Sequence, residues 1–492
     1  EAQLGRTERY NRFNNFDANV ANPLAQATGL PLKGGLVFAN DSQRTSWNTA
    51  WMNFAPRIGV AYKLTDKIVL RGGYGIFYPQ SGGGSNQGFS TTTTWVSTVG
   101  GDGINPNTNA LLRNPFPEGL NQPIGSSRGL LTQTGDSVNF FSRHHPLGYV
   151  QNFSADIQWE IKSGMVFEFG YTGSQGRKLL YGTGQQANQL DPKFLSQGAA
   201  LDAPVNNPFF NVIPTGILAG RTVPSNRLLR PHPQFTAVNL SGDTPGASSS
   251  FNALVVRYNW QISGGLNLLT TYQWSKAIDN ASEWQGWEVG DTMRDFYNQR
   301  VDRSISAHDL PQSFVNALVY EMPVGKGRKF LADMHPVANA IVGGWQVSSI
   351  VRFGSGLPLG FTAPNTLANY GFQVQRPNVA DLKTAALDNP TPDRWFNQAA
   401  FTRPGTYELS SMTRWTPNIR FGPTNHADVA ILKNFRFKER YKVQFRAEMF
   451  NMTNTPQFAR ANTDISSPNF GVVTGTTNVG PRNIQVGARI QF

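Results

Sequence analysis

The chain has 492 residues and carries 43 Lys plus Arg against 31 Asp plus Glu, a net charge of +12, yet only 15% of its residues are charged and 12% are aromatic. Its length suits several ordinary soluble domains or one large β architecture, and the absence of Cys excludes a disulfide framework and a thiolate metal site. The positive balance is compatible with nucleic acid, anionic lipid or a basic proteome, but basic residues nowhere cluster densely, which disfavours a nucleic-acid partner.

No apolar stretch reaches the roughly 18 residues of a transmembrane helix. A mean hydropathy of −0.36 leaves a membrane barrel open, because half of each barrel strand and all of its loops are polar. The opening, "EAQLGRTERYNRFNNFDANVANP", is polar and shows neither an initiating Met nor a signal peptide. Residues 1–53 therefore read as a polar loop segment leading into the strands, and the start as processed or truncated.

From there alternating segments come in pairs. "RIGVAYKL" and "KIVLRGGYGIFY" flank Thr65 and Asp66; "YVQNFSADIQWEIK" and "MVFEFGYTGSQ" flank Ser163 and Gly164. "FNALVVRYNWQI" and "LNLLTTYQWSKA" flank Ser263, Gly264 and Gly265, and "SFVNALVYEMP" and "GWQVSSIVRFGSG" flank a longer link that has room for a short helix. "ADVAILKNFRF" and "YKVQFRAEMFN" flank Lys438, Glu439 and Arg440, and "RNIQVGARIQF" stands last. Short Gly-rich or charged links between β-rich runs are hairpin signals.

The remaining connections, roughly residues 79–147, 176–247, 279–310, 356–424 and 454–480, are long and rich in Gly, Pro, Asn, Ser and Thr. Structureless loops of that length count against a compact soluble domain. Outer-membrane barrels have a reason for the pattern: short turns on the periplasmic side and long loops outside. The strands agree. Tyr441, Val443, Phe445, Ala447 and Met449 alternate with Lys442, Gln444, Arg446 and Glu448, and Phe153, Ala155, Ile157, Trp159 and Ile161 with Ser154, Asp156, Gln158, Glu160 and Lys162. Tyr74, Phe77, Tyr78, Trp159, Trp260, Trp274 and Trp345 near strand ends suit interfacial girdles, although aromatics are common in strands generally. About eleven strands are visible and the first and last run the same way, so closing this set alone needs a parallel seam. Bare edges in lipid are not tolerated. The expectation is one part of a larger barrel.

Six pieces in order, "NNFDANVANP", "NFAPRIGVAYKLTDKIVLRGGYGIFY", "TTYQWSKAIDNAS", "GGWQVSSIVRFGSGLPL", "FRAEMFNMTNTPQF" and "NFGVVTGTTNVGPRNIQVGARIQF", resemble Oar-like TonB-dependent outer-membrane receptors over most of residues 10–492. The resemblance implies an all-β, transmembrane antiparallel barrel of about 22 strands, with residues 54–492 its C-terminal part. It implies a plug domain, which this chain lacks along with a TonB box, and energised uptake through TonB. It also implies that Ile484, Val486, Ile490 and Phe492 carry the signal read by the barrel-assembly machinery; an ordinary last strand is the plainer reading.

Catalytic chemistry is not evident. His144 and His145 adjoin a long loop, the other His are scattered, and no pair has metal-ligand spacing. "GKGRK" at 325–329 falls short of a phosphate-binding loop, and the Gly-x-Gly of "GGYGIF" marks a twist or a close backbone approach. Asp156 and Glu160 share a strand face at roughly 13 Å, too far for a glycosidase pair. With Arg257, Arg352, Arg446, Glu448 and Arg489 they form the candidate lumen-facing set, the Arg residues balancing their charge. In the loop "WQGWEVGDTMRDFYNQR", Trp284, Trp287, Arg294 and Tyr297 are the candidate ligand-facing residues. Aromatic planes with Arg suit sugars, peptides or chelates, and equally suit packing of loop on loop.

The expectation is an outer-membrane receptor barrel for TonB-dependent uptake of an oligosaccharide, peptide or metal chelate, in the cell outer membrane of a Gram-negative bacterium. No enzyme activity, cofactor, metal or nucleic acid is expected. Its partners would be membrane lipid, lipopolysaccharide, the assembly machinery, TonB and a ligand. The alternatives are a passive porin-like channel and a soluble secreted glycan-binding β protein.

Overall fold

A strand with one oily and one wet face is satisfied only in a sheet that separates two media. The computed structural model describes residues 7, 13–45, 48, 51–79, 108–117, 119, 125–140, 146–181, 185–214, 216–240, 245–262, 265–282, 293–437, 441–477 and 480–492. Its dominant element is an antiparallel sheet whose strands are neighbours in chain order. They are β1 (Arg57–Lys63), β2 (Ile68–Phe77), β3 (Tyr149–Lys162), β4 (Met165–Leu180), β5 (Pro245–Ile262) and β6 (Leu266–Asp279). β7 (Gln312–Glu321), β8 (Trp345–Gly354), β9 (Thr424–Phe437), β10 (Tyr441–Phe450) and β11 (Asn483–Gln491) complete the path. These are the strands expected from the alternation. Among the described residues β1 and β11 do not pair with each other, so the sheet has two edges.

Register carries the alternation from strand to strand through the body of the sheet; a bulge between Glu160 and Lys162 turns Lys162 opposite Met165 at the apolar face, its ammonium 5.7 Å over the Trp260 ring. Ile490 lies opposite Val443, and Val443 opposite Phe435. Val347 faces Ile431 and Tyr320, Leu254 faces Trp274 and Tyr171, and Ile157 faces Phe169 and Leu70. This face is exposed: Ile157 is 48%, Phe445 52% and Ile490 65% accessible, and among the described residues of the wall strands only Ala247 and Ala253 are buried apolar residues. A soluble sheet would bury that face; a lipid-facing wall does not. The girdle expectation places Tyr74, Trp159, Trp260, Trp274 and Trp345 on this apolar face by register. Phe77 is a correction: it falls on the opposite face, one residue out of phase with Tyr74 and Ile76, where Arg57 lies 4.6 Å over its ring.

Polar groups on the apolar face partner each other, as lipid requires. Asn316 donates to the Thr270 hydroxyl at 2.7 Å and the Tyr171 hydroxyl donates to Asn252 at 2.7 Å. The two-residue turn at Ser163 and Gly164 needs its glycine: φ is +75°, and a Cβ there would lie 2.2 Å from the Gln261 carbonyl oxygen.

The opposite side differs from expectation. β4 runs on to Leu180 and β5 begins at Pro245 with two register shifts, so both exceed the roughly 9–11 residues that cross a bilayer and rise above it. The described parts of the long connections are folded. Leu359, Phe361, Phe396, Phe401, Met412, Ile419 and Phe470 form one core, in which Phe361 stacks on Phe401 at 4.6 Å. Leu190, Leu201, Leu367, Tyr370 and Phe372 join two different loops. Residues 1–53, expected as a polar loop, contain the hairpin Asn14–Ala21 and Lys33–Phe38, whose Phe16 and Leu36 pack on Val138, Phe235 and Val238. His232 closes this cluster. Its Nδ1 lies 2.8 Å from the Lys33 carbonyl oxygen and its ring sits edge-on to Phe16 at 4.9 Å. Burial lowers its pKa below the ordinary histidine value, against the weaker opposing effect of the Lys33 carbonyl.

Two outcomes follow from this packing. Ile431→Arg, on the apolar face near mid-strand, should cost about 2–4 kcal/mol in urea unfolding from lipid vesicles, whereas Ala430→Arg, on the polar face opposite Glu448, should cost less than about 1 kcal/mol. Equal costs would contradict the two-sided wall. Because the folded-state pKa of His232 is lowered, the unfolded cluster binds the proton more readily; the stability it contributes is present above the ordinary histidine pKa and lost as pH falls through that value towards the lowered one. Hydrogen-exchange protection at residues 14–38, taken relative to the intrinsic base-catalysed rate at each pH, should therefore fall on acidification, and His232→Gln should flatten that dependence.

Candidate functional site

The register sets all seven candidate lumen residues on one face, opposite the apolar one. Asp156 pairs in register with Arg71 and Gly170, Glu160 with Val166, and Arg257 with Glu168 and Thr271. Arg352 lies opposite Val315 and His426, Arg446 opposite Leu432 and Gly487, Glu448 opposite Ala430 and Gln485, and Arg489 opposite Gln444. The expected charge balance takes different partners. Arg257 pairs with Glu168 at 2.8 Å and Arg446 with its own strand's Glu448 at 3.7 Å. Asp156 instead leans over Gly170, where an added Cβ would sit 2.3 Å from its carboxylate oxygen. Glu168 was missed although it stands between Phe167 and Phe169 in "MVFEFGY", the same alternation that identified Asp156. These pairs are partly exposed, worth about 0–1 kcal/mol each. Their joint effect is a wet, charged wall.

Small residues hollow that wall near its long-loop end. Gly73 and Gly75 of β2, with Asn152, Ser154, Thr172 and Ser174, line a concavity of about 490 Å³ that Arg57 borders. The Gly-x-Gly in "GGYGIF" was its signal: the close approach it marks is the absence of side chains from the wall. On the apolar face a second groove of about 530 Å³ runs between Tyr171, Leu254, Trp274, Ile305 and Pro311, with Lys276 at its margin.

The loops above the wall are fastened by buried ion pairs. Arg376 meets Asp302 at 2.8 Å, Arg420 meets Asp309 at 2.6 Å, and Arg414 contacts Asp279, the last residue of β6. The carboxylates come from the end of β6 (Asp279) and the connection that follows it (Asp302 and Asp309), and all three guanidiniums come from the connection between β8 and β9. Removing one partner of such a buried pair typically costs about 3–5 kcal/mol. Arg294 belongs to this assembly. It is buried, and its guanidinium donates to the carbonyls of Ser410, Met412 and Val301. Burial, followed by the neighbouring Arg376 cation, lowers its pKa. Tyr297 is half exposed at 47%, with its hydroxyl donating to the Gln189 carbonyl at 3.2 Å. Trp284 and Trp287 lie outside the described residues, as do His144 and His145. Of the candidate ligand-facing set, Arg294 therefore packs loop on loop, and Tyr297 stays half exposed.

Buried cations without a carboxylate reinforce the cap. Arg230 donates to the carbonyls of Thr236 and Asn369, and burial, then the adjacent Arg227, pull its pKa down to about 9. Tyr370 and Tyr407 both donate to the Asp202 carboxylate at 2.8 Å. Burial first, then that carboxylate, raises the Tyr370 pKa. Among the described residues no cluster of three His, Cys, Asp or Glu is placed to hold a metal, and no helix is long and apolar enough to cross a membrane.

Ile484, Val486 and Ile490 of the last strand lie on the apolar face at 60%, 82% and 65% accessibility, and the terminal Phe492 is 90% accessible.

A family model described as an outer membrane beta barrel domain matches residues 1–485. Comparison with curated proteins finds no relative. Among solved structures, the outer membrane transporter YddB from Escherichia coli is 8% identical with a TM-score of 0.41, over 93% of this chain and 42% of that one. The siderophore receptor PiuA from Acinetobacter baumannii is 11% identical, TM-score 0.37, over 93% and 39%. The pyoverdine outer membrane receptor FpvA from Pseudomonas aeruginosa PAO1 is 10% identical, TM-score 0.38, again over 93% and 39%. The chain spans about two fifths of the length of these proteins. With a family match that runs nearly end to end and an exposed apolar wall, the chain belongs to the outer membrane beta barrel domain family, in the outer membrane of a Gram-negative bacterium.

Proposed function

We propose that this chain supplies the C-terminal wall and outer loops of an Oar-like, TonB-dependent receptor that takes up an oligosaccharide, peptide or metal chelate. The observation that carries the reading is the division of labour in the sheet. One face shows hydrocarbon, the other shows Arg71, Asp156, Glu168, Arg257, Arg446 and Arg489, and the long connections fold together at one rim. The resemblance of six ordered segments to Oar-like receptors supports the subtype.

In this reading the charged face lines a lumen, and the hollow beside Gly73 and Gly75 offers hydroxyl and amide groups to a polar solute on its way in. The fastened loops present a preformed outer surface, which lowers the ordering cost of binding. Further strands close the edges of β1 and β11, because unpaired backbone groups in lipid cost several kcal/mol each. A plug occupies the lumen and couples to TonB. The apolar groove with Lys276 at its margin takes an acyl chain and phosphate of lipopolysaccharide. Ile484, Val486, Ile490 and Phe492 act as the assembly signal. The protein performs no covalent chemistry.

The test is conductance and uptake of the complete protein. In planar bilayers it should stay closed, and cells should accumulate its ligand only while TonB is present. Steady ohmic conductance together with TonB-independent flux would make it a passive porin-like channel instead.

A further inference from the structure

Four of the five hairpin links on the short-turn side are two to four residues long, but the link between β7 and β8 runs from Met322 to Gly344. It is folded, with its apolar residues turned out. Asn339 of the helix Pro336–Val342 points into the link: its carboxamide oxygen accepts from Lys326 N at 2.7 Å, and an added Cβ at Gly325 or Gly343 would strike it. Val337 and Ile341, one helical turn apart, are 64% and 68% accessible, and Phe330 and Leu331 are 53% and 59% accessible. A turn in water would fold the other way, apolar residues inward and Asn outward.

The end of this helix is tied to the lipid-facing side of the wall. Lys433 is a charged residue on that face, opposite Phe445 and Trp345, yet it is only 6% accessible. Its ammonium donates to the carbonyl of Ile341 at 3.0 Å and to that of Gly343, and lies 5.0 Å over the Trp345 ring. Trp345 Nε1 donates to the same Ile341 carbonyl at 2.9 Å. The helix thus continues the lipid-facing surface beyond the strand ends. Exposed Lys326, Arg328 and Lys329 stand in the link against one acidic residue, Asp333, and Arg328 also pairs with Glu321 of β7 at 3.0 Å.

We propose that the 322–344 link is an interfacial foot that beds Val337, Ile341, Phe330 and Leu331 in the periplasmic leaflet of the outer membrane, with its lysines on anionic phospholipid headgroups. The occupant follows from continuity with the apolar wall and from the sign of the charge. An amphipathic segment of this kind sits about 5–10 Å into the boundary between headgroups and acyl chains. The inference rests on the barrel's placement in lipid, not on its substrate.

This chain carries no Cys, so Ile341→Cys in the complete protein gives one addressable thiol within it. An environment-sensitive fluorophore there, in vesicles of phosphatidylethanolamine and phosphatidylglycerol, should be quenched by brominated acyl chains at least about half as strongly as one at Val486→Cys in the wall. Quenching should weaken when phosphatidylglycerol is omitted and when Lys326→Glu and Lys329→Glu are added. Quenching at 486 but only by aqueous iodide at 341 would overturn the foot while leaving the barrel intact. Protection at 341 that vanishes on dilution of the protein would overturn it in favour of a second copy. Indifference to lipid charge would overturn the headgroup assignment, and no lipid quenching at either site would overturn the barrel placement as well.

Discussion

Every strand of this wall must satisfy its backbone without water while showing hydrocarbon on one side only. Pairing in chain order solves the first demand, and period-two alternation held in register through the body of the sheet solves the second. A slip of one residue anywhere would turn Ile157, Leu254, Ile431 and Val443 inward and Asp156, Arg257 and Arg446 into lipid. Several polar groups on the outer side meet the same demand: Asn316 has Thr270, Tyr171 has Asn252, and Lys433 has the carbonyls of Ile341 and Gly343.

The conventional core of the protein consequently lies outside the wall. The sheet spends its apolar side chains on the bilayer, so the buried phenylalanines and leucines belong to the loops, where Phe361, Phe396, Phe401 and Phe470 cluster. Three Asp–Arg pairs then bind the end of β6 and the connection after it to the connection between β8 and β9. Such pairs add little net stability over an apolar alternative but penalise any arrangement that separates them. A cap held this way presents one surface, which a receptor can use and an open pore has less need of.

The wall was legible in the sequence because alternation is a local signal. Each strand from Arg57 to Gln491 declares its two faces within its own residues, and the short links declare the hairpins. The signal fades where side chains become small and polar. Residues 245–250, "PGASSS", continue β5 without apolar alternation, so its extension above the membrane was missed. The folding of the loops was not legible at all, since it depends on contacts such as Leu190 with Phe372, far apart in sequence and set in Gly- and Pro-rich surroundings. Arg294 shows the consequence. In sequence it stands among aromatic and amide groups suited to a ligand, and only the fold reveals that the carbonyls of Ser410 and Met412 take its donors. Phase errors at strand ends account for Phe77. Glu168 needed no fold to find, only the alternation applied to one more strand.

The central claim is two-sidedness, and β10 exposes it most directly. Single Cys substitutions from Tyr441 to Phe450, tested for reaction with a hydrophilic maleimide in the membrane-inserted protein, should alternate. Positions 442, 444, 446 and 448 should react from the aqueous side, while 443, 445, 447 and 449 stay protected and are reached only by a lipid-soluble reagent. Uniform reactivity along the strand, or protection of 443 and 445 from both reagents as in a dry protein core, would contradict the account.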